Sequence, residues 1–282
     1  MPFENLTLSF IGAGVMGEAM IKGLLNKHLI RPEQIIAADP HEERGHELAS
    51  RYGLRYTADN GEAAQEADLL VLAVKPQVLE SVMPVVRRGA HSAALVLSII
   101  AGVKIRTIAD GVANASVVRA MPNTPAQIGQ GITVWTATSE VLEPQRKHAE
   151  TLLGALGEQI YLDDERYLDM ATALSGTGPA YIFLFMEALI DAGVHMGFSR
   201  RDAERLVIQT MRGSVEFAAE SGLHPAQLRN QVTSPGGTSA EAIYHLEKGG
   251  LRTVVSRAVW AAYQRSVTLG SGTSVHKPDN GE

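Results

Sequence analysis

Residues 6–17 read LTLSFIGAGVMG, an apolar run that leads directly into three glycines spaced as GxGxxG. The run predicts a buried strand, and the amphipathic stretch at 18–26 predicts a helix after it. Glycine suits Gly12, Gly14 and Gly17 because a dinucleotide pyrophosphate reaches a helix amino terminus only where no Cβ blocks its approach. A tight turn is the alternative, but the strand–loop–helix setting favours a dinucleotide site.

Short apolar runs and amphipathic stretches continue to alternate through the first half of the chain. Continuously apolar runs are typical of strands buried on both faces, as in a parallel sheet covered by helices. The predicted strands are 6–11, 35–38, 69–74, 95–100 and 117–120, and the predicted helices include 18–26, 42–52 and 77–87. This pattern predicts an α/β fold with a doubly wound parallel sheet of the Rossmann type.

The pattern changes after YLDDERY at 161–167, where helical segments follow one another without a convincing strand. The predicted helices are 167–174, 179–196, 201–221, 225–231, 239–247 and 251–269. We therefore predict a dinucleotide-binding Rossmann domain at 1–163, an all-α domain at 164–270 and a disordered tail at 271–282.

Composition and charge exclude several classes of function. The 282-residue chain carries a net charge of −6, so we expect no nucleic-acid partner and no membrane partner. It has no cysteine, which excludes disulfides and a cysteine nucleophile. Its nine histidines form no HxxxH or HExxH pattern, so no metal site is expected. We see no signal peptide and no apolar run long enough to span a bilayer, and expect a cytoplasmic protein.

The stretch AYIFLFMEALIDAGVHM at 180–196 is apolar nearly all round. Its polar positions Glu187, Asp191 and His195 recur every fourth residue and form one narrow stripe. A helix with so little polar surface is buried on most sides, and the rest of the helical region covers only part of it. We therefore expect an obligate homo-oligomer, with burial inside one subunit as the alternative.

Loops that follow the predicted strands are candidates for the cofactor site, because ligands bind at the carboxyl ends of strands in such sheets. Asp39 ends the second strand, where a carboxylate binds the adenosine ribose of NAD and disfavours the 2′-phosphate of NADP. A helix cap before Pro40 is the alternative. Arg44 could still receive a phosphate, so Asp39 favours NADH only weakly. Lys75 is placed to face the cofactor, with an ordinary solvated lysine as the alternative.

Two further loops end strands at the same predicted edge, SIIAG at 98–102 and RAMPNTPA at 119–126. Prolines on both sides of Asn123 and Thr124 stiffen the second loop. An amide beside a hydroxyl suits a nicotinamide or substrate wall, and a plain turn is the alternative.

A second glycine loop, VTSPGGTS at 232–239, lies in the helical half. Its sequence predicts a turn at Pro235, Gly236 and Gly237 that opens a helix at Thr238 and Ser239. The free backbone N–H groups and the positive dipole end of such a helix suit a carboxylate. The alternative is an N-cap with a flexible turn.

Five motifs in this order resemble those of the pyrroline-5-carboxylate reductase family, and the resemblance covers essentially the whole chain apart from the tail. The motifs are GAGVMG (12–17), AVKPQ (73–77), MPNTP (121–125), SGTGPAY (175–181) and VTSPGGTS (232–239). The resemblance implies an NAD(P)H-dependent oxidoreductase that reduces L-1-pyrroline-5-carboxylate to L-proline in proline biosynthesis. It also implies that the helical domain serves both dimerisation and substrate binding, that the helical domains of two subunits interleave in a homodimer with active sites built across it, and that several dimers often form a ring. The family most often prefers NADPH, so NADPH and NADH both stay open.

The resemblance, together with the strand-end positions, assigns the site residues. Those expected to bind the dinucleotide are Gly12, Ala13, Gly14, Val15, Met16, Gly17, Asp39, Asn60, Ala73, Val74, Lys75, Pro76, Ala101 and Gly102. Those expected around the substrate are Asn123, Ser175, Ser234, Gly236, Gly237, Thr238 and Ser239, of which Thr238 and Ser239 are expected to be catalytic. Asn123 is also expected near the nicotinamide. The family usually has Thr at the position of Ser239, so the hydroxyl is kept and a methyl contact is lost.

β-Hydroxyacid dehydrogenases share this general architecture and resemble one another in a GxGxxxK motif, whose lysine helps to move the hydroxyl proton. Here Gly176 and Gly178 match, but Ile182 occupies the lysine position. Hydride addition to a carbonyl builds an alkoxide and benefits from a proton donor, whereas addition to a protonated imine gives a neutral amine. The sequence therefore favours an imine substrate. The alternatives are a related imine reductase, a β-hydroxyacid dehydrogenase and a non-catalytic dinucleotide sensor.

Overall fold

The computed structural model describes residues 1–270, so the tail predicted at 271–282 lies outside the described residues. The chain divides into two compact units. The first comprises Met1–Thr177 together with the segment from Ala262 onward, and the second is Gly178–Ala261. The boundary predicted at 163 lies close to the last strand, whereas the first compact unit extends fourteen residues further, to Thr177 (177 − 163).

One eight-stranded sheet forms the centre of the first unit. Its strands are β1 (Leu8–Ile11), β2 (Ile35–Ala38), β3 (Arg55–Thr57), β4 (Leu69–Leu72), β5 (Leu95–Ser98), β6 (Val117–Met121), β7 (Gly131–Ala137) and β8 (Gly157–Tyr161). They are arranged in the order β3-β2-β1-β4-β5-β6-β7-β8. All neighbours are parallel except β6 and β7, which are antiparallel. The doubly wound parallel sheet is confirmed, and the antiparallel pair was not predicted.

Helices cover both faces of this sheet. They are α1 (Val15–Asn26), α2 (Glu42–Tyr52), α3 (Asn60–Gln65), α4 (Leu79–Gly89), α5 (Ile105–Val112), α6 (Glu143–Gly154) and α7 (Arg166–Ala171). Short 3-10 helices lie at Pro32–Gln34, Pro76–Val78 and Thr124–Ile128, and a π-helical turn, Thr172–Gly176, follows α7. Alternate residues of β4 enter different cores, Leu69 and Val71 on one face and Leu70 and Leu72 on the other. This two-sided burial explains why the strand is continuously apolar.

Among its described residues, the second unit contains helices joined by turns and no strand. It contains α8 (Gly178–His195), α9 (Arg200–Ser221), α10 (Pro225–Gln231), α11 (Thr238–Lys248) and the start of α12 (Leu251–Gly270), whose later residues belong to the first unit. Ser199 caps α9, since its hydroxyl accepts the Asp202 N–H at 3.1 Å, and Gly222 ends the helix with φ +63°. These helices lie within one or two residues of the predicted ones.

Helix α8 leaves its apolar surface uncovered within one chain. Phe183 is 61% exposed and Leu184 is 68% exposed, and Gly193 is the one residue of this helix that is buried. Among the described residues, one helical stretch, Arg166–His195, is long and apolar enough by length and composition to cross a membrane. No such stretch was predicted, because the apolar run in the sequence begins at residue 180, whereas the helical stretch begins at Arg166.

Candidate active site

The first glycine loop lies where the order of strands in the sheet reverses. From β1 the chain proceeds to β2 and β3 on one side and later to β4 and β5 on the other, and ligands in such sheets bind at this point. The Gly12 N–H donates to the Ala38 carbonyl at 2.8 Å, and the Ala73 N–H donates to the Ile11 carbonyl at 2.9 Å. The carboxyl ends of β1, β2 and β4 therefore meet, and they bring the glycine loop, Asp39 and the 73–76 segment together as predicted.

The three glycines of this loop have different surroundings. Gly12 has φ +94°, and a Cβ there would lie 3.0 Å from the Ala73 carbonyl oxygen. A Cβ on Gly17 would lie 2.6 Å from the Gly12 carbonyl oxygen. At Gly14, by contrast, no heavy atom of the described chain outside its immediate neighbours lies within 4 Å of the Cβ position, and no side chain caps α1. The amino end of α1 therefore faces open space that a Cβ would enter, which fits a pyrophosphate.

Asp39 is held against the glycine loop. Its Oδ2 accepts the Ala13 N–H at 3.1 Å, and its Oδ1 accepts the His41 backbone N–H at 3.0 Å and lies 2.9 Å from the His41 ring Nδ1. Burial works to raise the pKa of Asp39, but the bonds from His41 and Ala13 outweigh it, so this pKa lies below its ordinary value. An ionised carboxylate thus ends β2. Asp39 is not the N-cap of α2, since His41 occupies that position.

Arg44, expected as a possible phosphate partner, is already engaged. Its Nε donates to the Ala13 carbonyl at 3.2 Å, one terminal nitrogen donates to Glu47 at 2.8 Å, and the other contacts Glu18. Neither Glu18 nor Glu47 was predicted as a site residue. The sequence feature that could have indicated Glu18 is its place in the first turn of α1, directly after the glycine motif, where a carboxylate can face the next helix.

The remaining residues predicted for the dinucleotide lie after β3, β4 and β5. Asn60 begins α3, directly after the capping residue Asp59, and Lys75 is exposed at the start of the 3-10 helix after β4. Ala101 and Gly102 follow β5. Gly102 has φ +76°, and a Cβ there would lie 2.9 Å from Leu269 Cβ and 3.0 Å from the Ser266 carbonyl. The end of α12 thus gives Gly102 a packing reason to be glycine.

Asn123 and Ser175, predicted near the nicotinamide and the substrate, are in contact. The Asn123 amide NH2 donates to the Ser175 carbonyl at 3.2 Å, and its amide oxygen accepts the Ile132 N–H at 3.0 Å. The Ser175 hydroxyl donates to the Ala171 carbonyl at 3.0 Å, and a Cβ on Gly176 would lie 2.7 Å from Met121 Cε. The MPNTP loop is therefore fixed to the π-helical turn, and Asn123 has a structural task besides its predicted role.

Arg119, which opens the RAMPNTPA segment, was missed as a key residue. Its side chain is 2% exposed, and it donates to Glu165 at 2.7 Å and to Asp169 at 3.1 Å. Glu165 also accepts the Ile105 N–H at 2.6 Å, and the Ser266 hydroxyl donates to Asp169 at 2.9 Å. Arg119 could have been noticed because it interrupts an apolar strand pattern. A charge buried in a strand needs partners of opposite charge.

The second glycine loop lies in the second compact unit. Gly236 has φ +72°, the Gly237 N–H donates to the Ser234 carbonyl at 3.0 Å, and α11 begins at Thr238. Gly237 is the N-cap, and no side chain within the described residues caps this helix. The turn and the uncapped helix agree with the prediction, and the arrangement suits a carboxylate. The predicted substrate contacts of Ser234, Gly236, Gly237, Thr238 and Ser239 remain predictions.

Comparison with known proteins identifies the family. A pyrroline-5-carboxylate reductase of Synechocystis sp. is 42% identical over 94% of this chain and 99% of its own length. This chain belongs to the pyrroline-5-carboxylate reductase family. A family model described as pyrroline-5-carboxylate reductase dimerisation matches residues 165–269, and one described as NADP oxidoreductase, coenzyme F420-dependent, matches residues 7–102.

Solved structures of pyrroline-5-carboxylate reductases share the fold along nearly the whole chain. The Plasmodium falciparum enzyme, determined with NADP bound, is 35% identical, with a TM-score of 0.87 over 95% of this chain and 99% of its own. The Coxiella burnetii enzyme is 36% identical, with a TM-score of 0.84 over 94% of this chain and 98% of its own. Rossmann and helical regions thus occur together, as the sequence predicted.

Proposed function

We propose that this protein is a pyrroline-5-carboxylate reductase that uses NAD(P)H to reduce L-1-pyrroline-5-carboxylate to L-proline, the last step of proline biosynthesis. The observation that carries the proposal is the open, uncapped amino end of α1 at Gly14, in a chain that belongs to this family. The glycine loop supplies backbone N–H groups for the pyrophosphate, and Asp39 supplies a carboxylate for the adenosine ribose. Asn60, the 73–76 segment and residues Ala101 and Gly102 complete the dinucleotide set.

The second glycine loop binds the substrate in this proposal. The backbone N–H groups at the start of α11 hold the substrate carboxylate, and the Ser239 hydroxyl hydrogen-bonds the ring nitrogen. Thr238 lies beside Ser239 in the first turn, and Asn123 and Ser175 border the ring. When bound, the reduced nicotinamide supplies the hydride that is added to the C=N carbon of the protonated imine, which is C2 of the pyrroline ring and becomes C5 of proline.

No side chain is required to protonate an alkoxide in this reaction, because reduction of a protonated imine gives a neutral amine. Ile182 occupies the position where β-hydroxyacid dehydrogenases resemble one another in carrying the lysine of their GxGxxxK motif. The chain therefore contributes orientation and electrostatics rather than an acid at that place. This feature supports an imine substrate over a hydroxyacid.

The exposed apolar surface of α8 and the dimerisation-region match support self-association. We propose that the helical domains of two subunits interleave, that each active site draws on both subunits, and that several dimers form a ring. Such burial would explain why Phe183 and Leu184 are exposed in a single chain. We propose a cytoplasmic location, as for a biosynthetic enzyme of this kind.

The direct test follows the absorbance of NADPH and of NADH with the purified protein and pyrroline-5-carboxylate, with a β-hydroxyacid and oxidised cofactor as the comparison. Proline formed in step with cofactor oxidation supports the reductase. Turnover of the hydroxyacid alone would support a dehydrogenase. Cofactor binding without turnover of either compound would support a dinucleotide sensor, and either of these two results would refute the proposal.

A further inference from the structure

We infer that Glu18 and Glu47 act against NADPH at this site, because they hold Arg44 in ion pairs and withdraw it from the adenosine 2′-phosphate. The inference rests on the proposed cofactor site. An arginine near the end of the second strand is the group that accommodates the 2′-phosphate of NADP in folds of this type. In this chain the arginine is Arg44, and its N–H groups donate to Ala13, Glu47 and Glu18.

The position of Arg44 is set by the glycine loop. Its Nε donates to the carbonyl of Ala13 at 3.2 Å, and the N–H of the same residue donates to Asp39 at 3.1 Å. Arg44 and Asp39 therefore both bond the backbone of one loop residue. Because Asp39 is the residue expected to bind the adenosine ribose, the shared bonding to Ala13 places Arg44 beside that expected position.

Glutamates occupy the two terminal nitrogens of Arg44. One donates to Glu47 at 2.8 Å and the other contacts Glu18, whose side chain is 20% exposed. Glu18 also accepts bonds from Arg51 and from the Tyr52 hydroxyl, both at 2.8 Å. Burial works to raise the pKa of Glu18, but the bonds from Arg44 and Tyr52 outweigh it and keep this pKa below its ordinary value. Glu18 is therefore ionised at neutral pH.

The charged side chains around Arg44 disfavour the adenosine 2′-phosphate of NADPH. Asp39, Glu18 and Glu47 supply three carboxylates against the guanidinium groups of Arg44 and Arg51, a net charge of −1 for these five side chains (2 − 3). A 2′-phosphate would have to displace a carboxylate from Arg44 or approach the cluster without that partner. A ribose hydroxyl needs only an acceptor, which Asp39 provides.

Glu18 is thus a positioning residue that acts through Arg44, and its removal should change cofactor choice. Calorimetry would give Kd for NADPH and for NADH with the wild-type protein, Glu18→Gln and Glu47→Gln. The matched control is Glu33→Gln, which removes a carboxylate paired with Arg31 at 3.1 Å before β2, at the opposite end of that strand. The ratio of kcat/KM for the two cofactors provides a second readout.

We expect Glu18→Gln to shift the Kd ratio toward NADPH by about fivefold, from the loss of one partly buried charge. Glu47→Gln should shift it in the same direction by less, and this more exposed position keeps the test available if Glu18→Gln is unfolded. The control should change the ratio by less than twofold. Because the gain acts through Arg44, the double variant Glu18→Gln with Arg44→Ala should lose it.

Equal shifts in Glu18→Gln and Glu33→Gln would overturn the inference, as would a gain that survives Arg44→Ala. An unchanged ratio in folded Glu18→Gln would also overturn it. The Kd ratios are measured by binding alone and do not depend on turnover of pyrroline-5-carboxylate. A wild-type protein that binds both cofactors and leaves pyrroline-5-carboxylate unchanged would refute the proposed activity, while the Kd ratios would still decide the role of Glu18.

Discussion

Glycine serves two different purposes within the six residues of the first loop. Gly12 and Gly17 are close to backbone atoms of the protein itself, whereas Gly14 borders open space in front of α1. The GxGxxG pattern predicted all three positions for the same cofactor. Only contact distances could separate the glycines required for packing from the one whose missing Cβ leaves room for a ligand.

This difference predicts opposite behaviour for two alanine variants. Gly14→Ala should fold with a Tm within about 2 °C of wild type, since its backbone conformation suits alanine, but should raise the NADH Kd about tenfold. Gly17→Ala should lower stability by about 1–3 kcal/mol, because its Cβ would press on the Gly12 carbonyl. Calorimetric titration and thermal unfolding measure the two effects. Unchanged cofactor affinity in Gly14→Ala would contradict the phosphate assignment.

Substitutions of Ser239 test the proposed substrate site. Ser239→Ala removes the hydroxyl proposed to orient the ring nitrogen, so kcat should fall at least about tenfold while the Kd for NADH and NADPH stays within twofold. Ser239→Thr should keep most of the activity, because it retains the hydroxyl. Steady-state rates with pyrroline-5-carboxylate and cofactor titrations make the comparison. An Ala variant with wild-type kcat/KM would remove Ser239 from the mechanism.

At the scale of elements, the Arg119 cluster ties a strand to two helices. Arg119 on β6 binds Asp169 on α7 and Glu165 just before it, and Asp169 accepts from Ser266 on α12. The residues come from distant parts of the sequence. Their pairing depends on strand β6 being placed beneath α7, which hydropathy patterns do not reveal.

Breaking this cluster should be costly. Arg119→Met leaves two carboxylates without their buried partner and should lower the free energy of unfolding by about 3–5 kcal/mol. Arg106→Met makes the same replacement where the side chain is 91% exposed and pairs with Asp110 at 3.7 Å, and should cost less than about 1 kcal/mol. Urea unfolding at matched protein concentration compares them. Similar losses in both variants would show that the buried cluster adds little.

Most elements could be predicted wherever one local signal dominated. Strands β1, β2, β4 and β5 are mostly apolar and buried at every position. Helix α9 begins and ends at recognisable caps, and α10 begins with a proline after its N-cap. Strand β3 has three residues, and β8 alternates partly buried and exposed positions, so neither has an apolar run. Strand β7 was not predicted either, and the antiparallel direction in which it pairs with β6 cannot be read from composition.

At the scale of the whole molecule, the second unit exposes apolar helices that a single chain does not cover. Leu184→Asp places a charge on the exposed face of α8 and should weaken subunit association more than about tenfold. Leu142→Asp is the matched control, since Leu142 is 65% exposed in the first unit and outside the dimerisation-region match. Light scattering across protein concentrations measures both variants. A wild-type protein that is monomeric at micromolar concentration would contradict the expected self-association.

Only part of the candidate site could be predicted from the sequence. Local motifs located both glycine loops, because each has its own strand or helix beside it. The ion pairs of Arg44 could not be foreseen, because Glu18, Arg44 and Arg51 become neighbours only after α1 and α2 pack side by side. Cofactor choice therefore depends on tertiary contacts that a motif does not contain.

The return of the chain to its first unit at Ala262 makes the second unit an insertion with two junctions rather than an appended domain. A gene fragment that stops at Thr177 would omit Ser266 and Gly270, and so would strip Asp169 of a donor and uncover Gly102. Anyone seeking a minimal nucleotide-binding module should splice residues 1–177 to 262–270 through a designed linker. Simple C-terminal truncation would yield a damaged module.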